Sequence, residues 1–209
     1  QLSYDEYGNL IQVTGAENEK GQRSQLSYQY NPETHSHITK IKDHFEYENT
    51  MEYDYRFGAL VKTTDRNGES MLYTLDAKGR TISILGPKEA KAGKPYTIRY
   101  EYPDLNQSRP AGQLPYALTR NYDPEHNRDI ETYTYADGLG RAVQVKKTAS
   151  IFKGRGLADE EKHIISGKQI YDALGRVVET YYPFTASVQS QLVPAPSSSI
   201  PPTKTLYDE

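Results

Sequence analysis

The sequence predicts an all-β protein: tandem antiparallel β-hairpins forming a curved, spiralling sheet, a strip with little helix. Three observations predict it. One phrase recurs along the chain, as YDEYGNLIQVTG (4–15), YADGLGRAVQVKKT (135–148) and YDALGRVVETYYP (171–183). A catalytic motif is needed once, whereas a repeated phrase signals repeated architecture. The apolar content is thin, with Leu, Ile, Val and Phe just under a fifth of the chain, and 19 tyrosines fill the deficit. Tyrosine and β-branched residues favour pleated, half-buried surfaces. Finally, each phrase carries aspartate at i and glycine at i+3, the signature of a tight turn whose glycine takes positive φ.

Five units align on Gly8, Gly58, Gly79, Gly140 and Gly175, with Asp5, Tyr55, Asp76, Asp137 and Asp172 three residues earlier. Three residues after the glycine stand Ile11, Val61, Ile82, Val143 and Val178. Two further on come Val13, Thr63, Ile84, Val145 and Thr180. A strand's period of two places both sets on one face, expected to be the buried one. The approach strands carry Tyr4, Tyr53, Tyr73, Tyr133 with Tyr135, and Tyr171, while Leu75 takes the slot beside Asp76. In the second and fourth units the nearest tyrosine lies one residue further from the glycine, which predicts a β-bulge in those two approach strands. Arg80, Arg141 and Arg176 directly follow the glycine and are placed to stack on neighbouring tyrosine rings.

Weaker heads at YQYNPE (28–33), IRYEYPD (98–104) and NYDPEH (121–126) extend the series, and DRNG (65–68) supplies a further tight turn. Because a lone hairpin is marginal in water, each is expected to pair with its neighbours into one continuous sheet. The strip is assigned to 1–182, with loop insertions near 86–95 and 149–163, the latter with a short helical turn over LADEEKHI (157–164). Residues 183–205 read as a Pro- and Ser-rich, mobile insertion or linker. LYDE (206–209) reads as the start of a further repeat, so the chain is expected to be part of something longer.

A balance of 25 basic and 28 acidic residues gives no general reason to expect nucleic acid or an anionic membrane as partner. Cysteine is absent, which excludes disulfides and thiolate metal sites. No apolar run reaches transmembrane length, so membrane insertion is not expected. His35 and His37, placed on one strand face, with His44 as a third ligand, are the weak candidates for a metal site. GPKEAKAGK (86–94) resembles a phosphate loop, but has six residues rather than four between its first glycine and Gly-Lys. Lys146, Lys147, Lys153 and Arg155 form a basic cluster read as a solvated loop, balanced by Asp159, Glu160 and Glu161. No GxSxG motif or recognisable serine, histidine and aspartate grouping appears, so no catalytic residue, cofactor or enzyme activity is expected. The raw edges of a strip invite edge-to-edge self-association.

YDEYGNL, LDAKGR, YADGLGRAVQ and YDALGRVVE resemble the repeats of the Rhs, or YD-repeat, proteins. More narrowly, TYTYADGLGRAVQVKK followed by ISGKQIYDALGRVVETYYPF resembles the middle section of the B component of bacterial insecticidal toxin complexes and related large secreted Rhs proteins. The resemblance implies a β-strip coiled into a hollow shell that encapsulates a toxin or effector domain. It also implies a secreted or cell-surface location, and partners in the rest of a parent chain, an enclosed toxin domain or a companion toxin-complex subunit. The residues carrying that structural role are the repeat turns Asp5, Gly8, Gly58, Asp76, Gly79, Arg80, Asp137, Gly140, Arg141, Asp172, Gly175 and Arg176. The alternative reading is a carbohydrate- or protein-binding surface module using exposed tyrosines and the 146–155 basic stretch.

Overall fold

The structure is a computed structural model and describes residues 1–103, 114–189, 192–194 and 201–208. It divides into two compact units, Gln1–Thr97 and Ile98–Glu209. The first is a run of antiparallel strands in chain order: β1 (Leu2–Tyr4), β2 (Leu10–Glu17), β3 (Arg23–Tyr30), β4 (Ile38–Asp43), β5 (Glu48–Asp54), β6 (Ala59–Thr64), β7 (Ser70–Leu75) and β8 (Thr81–Leu85). Each strand pairs with the one before it, so every connection is a tight hairpin turn.

The stretch 86–95, expected as a loop, carries the short helix α1 (Pro87–Lys91), opened by Pro87 at its first turn. It is tied down by Gly86 N–H donating to Thr97 Oγ1 (2.8 Å) and Thr97 Oγ1 donating to Glu89 Oε2 (2.7 Å).

In the second unit β9 (Ile98–Glu101), β10 (Tyr116–Asp123), β11 (Arg128–Ala136), β12 (Ala142–Ile151) and β13 (Glu160–Ser166) continue the pattern. The chain then leaves the sheet for a hairpin of β14 (Gln169–Tyr171) and β15 (Val177–Thr180), and returns to pair β16 (Phe184–Ala186) with β13. β17 (Thr203–Lys204) completes a separate three-stranded sheet in the order β14-β15-β17. The fifth repeat therefore stands outside the sheet that holds the fourth, a departure from the single continuous ribbon that hairpin stacking predicts.

Three further expectations are corrected. LADEEKHI forms no helical turn: Glu160–Ser166 is a strand, whose inward residues His163 and Ile165 alternate with outward ones. The stretch 149–163 is accordingly mostly strand, and only 152–159 forms its loop. The stretch assigned as linker is built into the fold where it is described, through β16, β17 and contacts at Gln189 and Val193.

The bulge, too, lies elsewhere. Opposite Tyr4, Tyr53, Leu75, Ala136 and Tyr171 the register slips, and the residue skipped on the return strand is Ile11, Val61, Ile82, Val143 or Val178. The aliphatic residue common to all five repeats is thus the bulge residue, on the return strand of every unit. An extra residue inserted into a period of two puts two successive side chains toward one face and reverses the count beyond them. In the fourth repeat Val143 packs against the core while Gln144 and Lys146, rather than Val145, are fully buried. All five bulge residues are half-buried rather than sealed away.

The core of the second unit follows from cross-strand register. Leu118 lies opposite Tyr133, Tyr133 opposite Lys146, and Lys146 opposite Ile165, while Tyr116, Tyr135 and Gln144 form the adjacent row. Leu118, Tyr133 and Tyr135 are buried together, and Tyr116 tilts against both rings with centroids 5.5 Å away.

The turn ladder as candidate functional site

Seven turns join the strands of the first unit, and each begins on an Asx residue: Asp5, Asn18, Asn31, Asp43, Asp54, Asp65 and Asp76. In each, the side-chain Oδ1 accepts the N–H of the residue two further on, at 2.8–3.0 Å. This contact mimics a backbone turn and pre-forms the reversal. The second unit repeats it at Asp123, Asp137 and Asp172.

In the tighter turns the glycine N–H donates to the aspartate carbonyl, as in Gly140 to Asp137 (3.0 Å) and Gly175 to Asp172 (3.0 Å). Gly8, Gly58, Gly79, Gly140 and Gly175 all have positive φ, between 62° and 85°. Where the loop is one residue longer, the positive φ moves to the fourth position after the Asx residue: His35 (51°), Gly58 (62°) and Asn127 (49°). The turn acid of the second repeat is therefore Asp54, and Tyr55 is a loop residue. Asn18 with Gly21 was legible as Asx and glycine at the same spacing, whereas the turn at Asp43 closes on Glu46 (φ 66°) and carries no such mark.

The arginine after the glycine closes the turn. Arg80, Arg141 and Arg176 each donate Nε–H to Oδ2 of their own Asp76, Asp137 and Asp172, at 2.7–2.8 Å. The Arg176 guanidinium holds the Asp172 carboxyl below the ordinary carboxylate range, and Arg141 does the same for Asp137, in each case with help from backbone N–H donors.

Two of these arginines also reach the next repeat. The Arg141 guanidinium lies 3.9 Å from the Tyr171 ring centroid and Arg176 lies 4.5 Å from that of Tyr207. A tyrosine hydroxyl completes the link at a fixed place, the carbonyl two residues past the preceding glycine. Tyr30 donates to Leu10 O (3.2 Å), Tyr171 to Ala142 O (3.3 Å) and Tyr207 to Val177 O (3.0 Å). At these three places a tyrosine is thus a latch onto the repeat before it, with Tyr171 sharing its hydroxyl between Ala142 O and Gln169 Oε1 (2.9 Å).

Turn tips stack as well. The Tyr7 and His35 rings lie parallel, 3.9 Å apart. A Cβ on Gly79 would sit 2.5 Å from Phe57 Cγ, and one on Gly175 would sit 2.6 Å from an Arg141 guanidinium nitrogen. At Gly79 glycine is required both for its φ and for the close approach of Phe57, whereas at Gly175 the neighbour is the movable end of a side chain and φ sets the requirement.

The weak metal candidates do not converge. His35 and His37 lie in the turn before β4, not on a strand. His35 stacks on Tyr7, His37 tilts against Tyr53 and Tyr55, and His44 meets Phe45 edge-on. Among the described residues no group of three metal-ligating side chains is assembled. The basic cluster also dissolves: Lys146 is fully buried, and Lys153 and Lys162 both pair with Glu160.

The geometry defines a repeat protein whose functional groups, turn acid, glycine, clamp arginine and latch tyrosine, serve to hold one hairpin to the next. Residues 113–208 match the family model described as a domain of unknown function, DUF6443. No curated protein matches the chain in sequence. Solved structures do share its fold. The crystal structure of TcdB2-TccC3-TEV superposes with a TM-score of 0.63 at 16% identity, over 88% of this chain and 13% of that one. TcdB2-TccC3 without its hypervariable C-terminal region gives 0.59 at 17% identity, over 86% and 13%. The Tc holotoxin pore of Photorhabdus luminescens gives 0.58 at 17% identity, over 77% and 12%. The Rhs resemblance read from the motifs therefore holds at the level of the fold, and the chain spans 12–13% of the length of these structures' chains.

Proposed function

We propose that the chain is a structural segment of a large secreted Rhs-type protein, contributing hairpins to a shell that encloses a toxin or effector domain, and that it carries no catalytic role. The observation that supports this most is the use made of the repeat residues. Each forms a turn or fastens one hairpin to the next, and Tyr30, Tyr171 and Tyr207 direct their hydroxyls to the backbone of the preceding repeat. Its fold likeness to TcdB2-TccC3 supports the same reading. On that reading its partners are the rest of its parent chain, an enclosed domain and companion toxin-complex subunits, and it acts outside the cell or at its surface.

The test is made in the full-length parent protein. Excising one internal hairpin, residues 48–64, is expected to expose the enclosed domain to added protease while the unaltered protein protects it. Equal protection in both would overturn the shell role.

A further inference from the structure

One face of the second unit holds polar groups where a core would be expected. Gln144 and Lys146 are 0% exposed and His163 is 1% exposed. Their partners are backbone groups of the segment that follows β16. The Gln144 amide binds Val193 at two points, Nε2–H donating to Val193 O (2.8 Å) and Oε1 accepting Val193 N–H (3.0 Å). The Val193 side chain is itself buried, and Leu192 packs on the Leu118, Tyr133 and Tyr135 cluster. Lys146 Nζ donates to Gln189 O and lies over two rings, 4.7 Å from the Tyr133 centroid and 5.1 Å from that of Tyr135. His163 Nδ1 accepts the Gln189 N–H (3.3 Å). That bond assigns the ring proton to Nε2, which is buried without a hydrogen-bond partner among the described residues.

A hydrophobic segment could cover a sheet by burying Leu and Val alone. Here its backbone is instead read by three buried polar side chains, one of which can reverse its role. If His163 takes up a proton, Nδ1 becomes a donor facing the Gln189 N–H, and the new charge stands in the same buried cluster as the Lys146 ammonium. We propose that Gln189 and the Leu192–Val193 pair act as an acid-released strap, held down by Gln144 and Lys146 and unlatched when His163 is protonated.

The groups facing His163 are Lys146 on β12, Glu131 and Tyr133 on β11 and Glu161 on its own strand; Ala186, opposite it on β16, is uncharged. Burial, then Lys146, holds the imidazole below its ordinary range against the opposing pull of the two carboxylates. With the strap open the ring regains water and its ordinary value, about 6.5. The closed form therefore binds fewer protons. Closure is fully favoured above that pH and weakens by up to about tenfold per pH unit below it, until the closed-form ring also titrates. This inference concerns the second unit alone and is independent of the shell reading.

The experiment follows backbone hydrogen exchange at Gln189 and Val193 in the 209-residue chain between pH 7.5 and 5, corrected for intrinsic exchange, with the Gly8 amide as internal control. The expected result is protection that falls with pH at these two amides but not at Gly8. H163Q, which keeps an acceptor but cannot titrate, should give a flat profile. Constant protection in the parent chain, or the same fall in H163Q, overturns the proposal. Should H163Q fail to fold, the His163 imidazole is titrated by NMR in the unaltered chain. A midpoint at or above 6.5 refutes the latch, and one clearly below it supports the linkage.

Discussion

A single turn residue here answers to two constraints that can be separated by substitution. Gly140 has φ of 76° and open space where a Cβ would go, so Gly140→Ala bears only the cost of a left-handed backbone, about 1 kcal/mol. Gly79 has nearly the same φ, 77°, but a Cβ there runs into the Phe57 ring. Gly79→Ala is expected to cost about 2–3 kcal/mol in urea denaturation, because strain and displacement of the ring add. Equal costs would mean that Phe57 yields freely. The turn acids supply a second residue-scale prediction. Asp137 and Asp172 are held below the ordinary carboxylate range by their arginines, so the stability they confer is present above about pH 4 and is lost as pH falls through their lower native values. The double variant Asp137→Asn, Asp172→Asn keeps the N–H acceptors but loses the charge. It should show a shallower acid limb in a pH-dependent denaturation series than the parent chain.

At the scale of the hairpin, the bulge and the latch act together. The extra aliphatic residue on each return strand shifts its phase by one, and the carbonyl just before that residue, at Leu10, Ala142 or Val177, is the one that accepts the next tyrosine hydroxyl. The bulge thus comes directly after the acceptor, where the ladder is interrupted and a carbonyl is open to a partner from outside the hairpin. Tyr207→Phe removes the hydroxyl's bond to Val177 O and is expected to cost about 1 kcal/mol, with the Arg176 stacking retained. Tyr4→Phe, on an exposed ring, should cost close to nothing in the same melts. If the two substitutions cost the same, the hydroxyl contributes nothing to stacking of the repeats.

For the molecule as a whole, neighbours in sequence are neighbours in the sheet, so stability is distributed hairpin by hairpin rather than gathered in one large core. The exception is the face of the second unit centred on Lys146. Burial pulls its ammonium down to about 8, whereas the unfolded chain titrates near the ordinary lysine value of 10.5. The native state therefore binds fewer protons between those values, and stability should rise from pH 8 toward pH 10, by at most about 1.4 kcal/mol per pH unit. Above pH 10 the trend should reverse, because burial pushes the Tyr133 hydroxyl up to about 12 and unfolded tyrosines ionise first. Lys146→Met should flatten the rise. A rise of equal slope in that variant would place its origin elsewhere.

The sequence by itself determined the class of architecture. Asp-x-x-Gly spacing, the aliphatic residue three positions after the glycine, and tyrosines at the heads are local signals whose physics acts within a few residues, so hairpins, turn glycines and arginines stacked on tyrosine could be read from them, whereas the arginine clamp on the turn aspartate emerged only in the structure. Four further things were decided only by tertiary structure. The phase of the buried face depends on a bulge, and one inserted residue reverses every inference from alternation beyond it. Glu46 and His35 take positive φ without a sequence mark, because pairing of the flanking strands imposes the turn. The fifth hairpin left the main sheet and paired Glu179 with Lys204 and Thr180 with Thr203, a choice that no local pattern encodes. Gln144, Lys146 and His163 became interior groups because Val193 and Gln189, distant in sequence, supply the hydrogen bonds and cover that make burial of polar side chains possible.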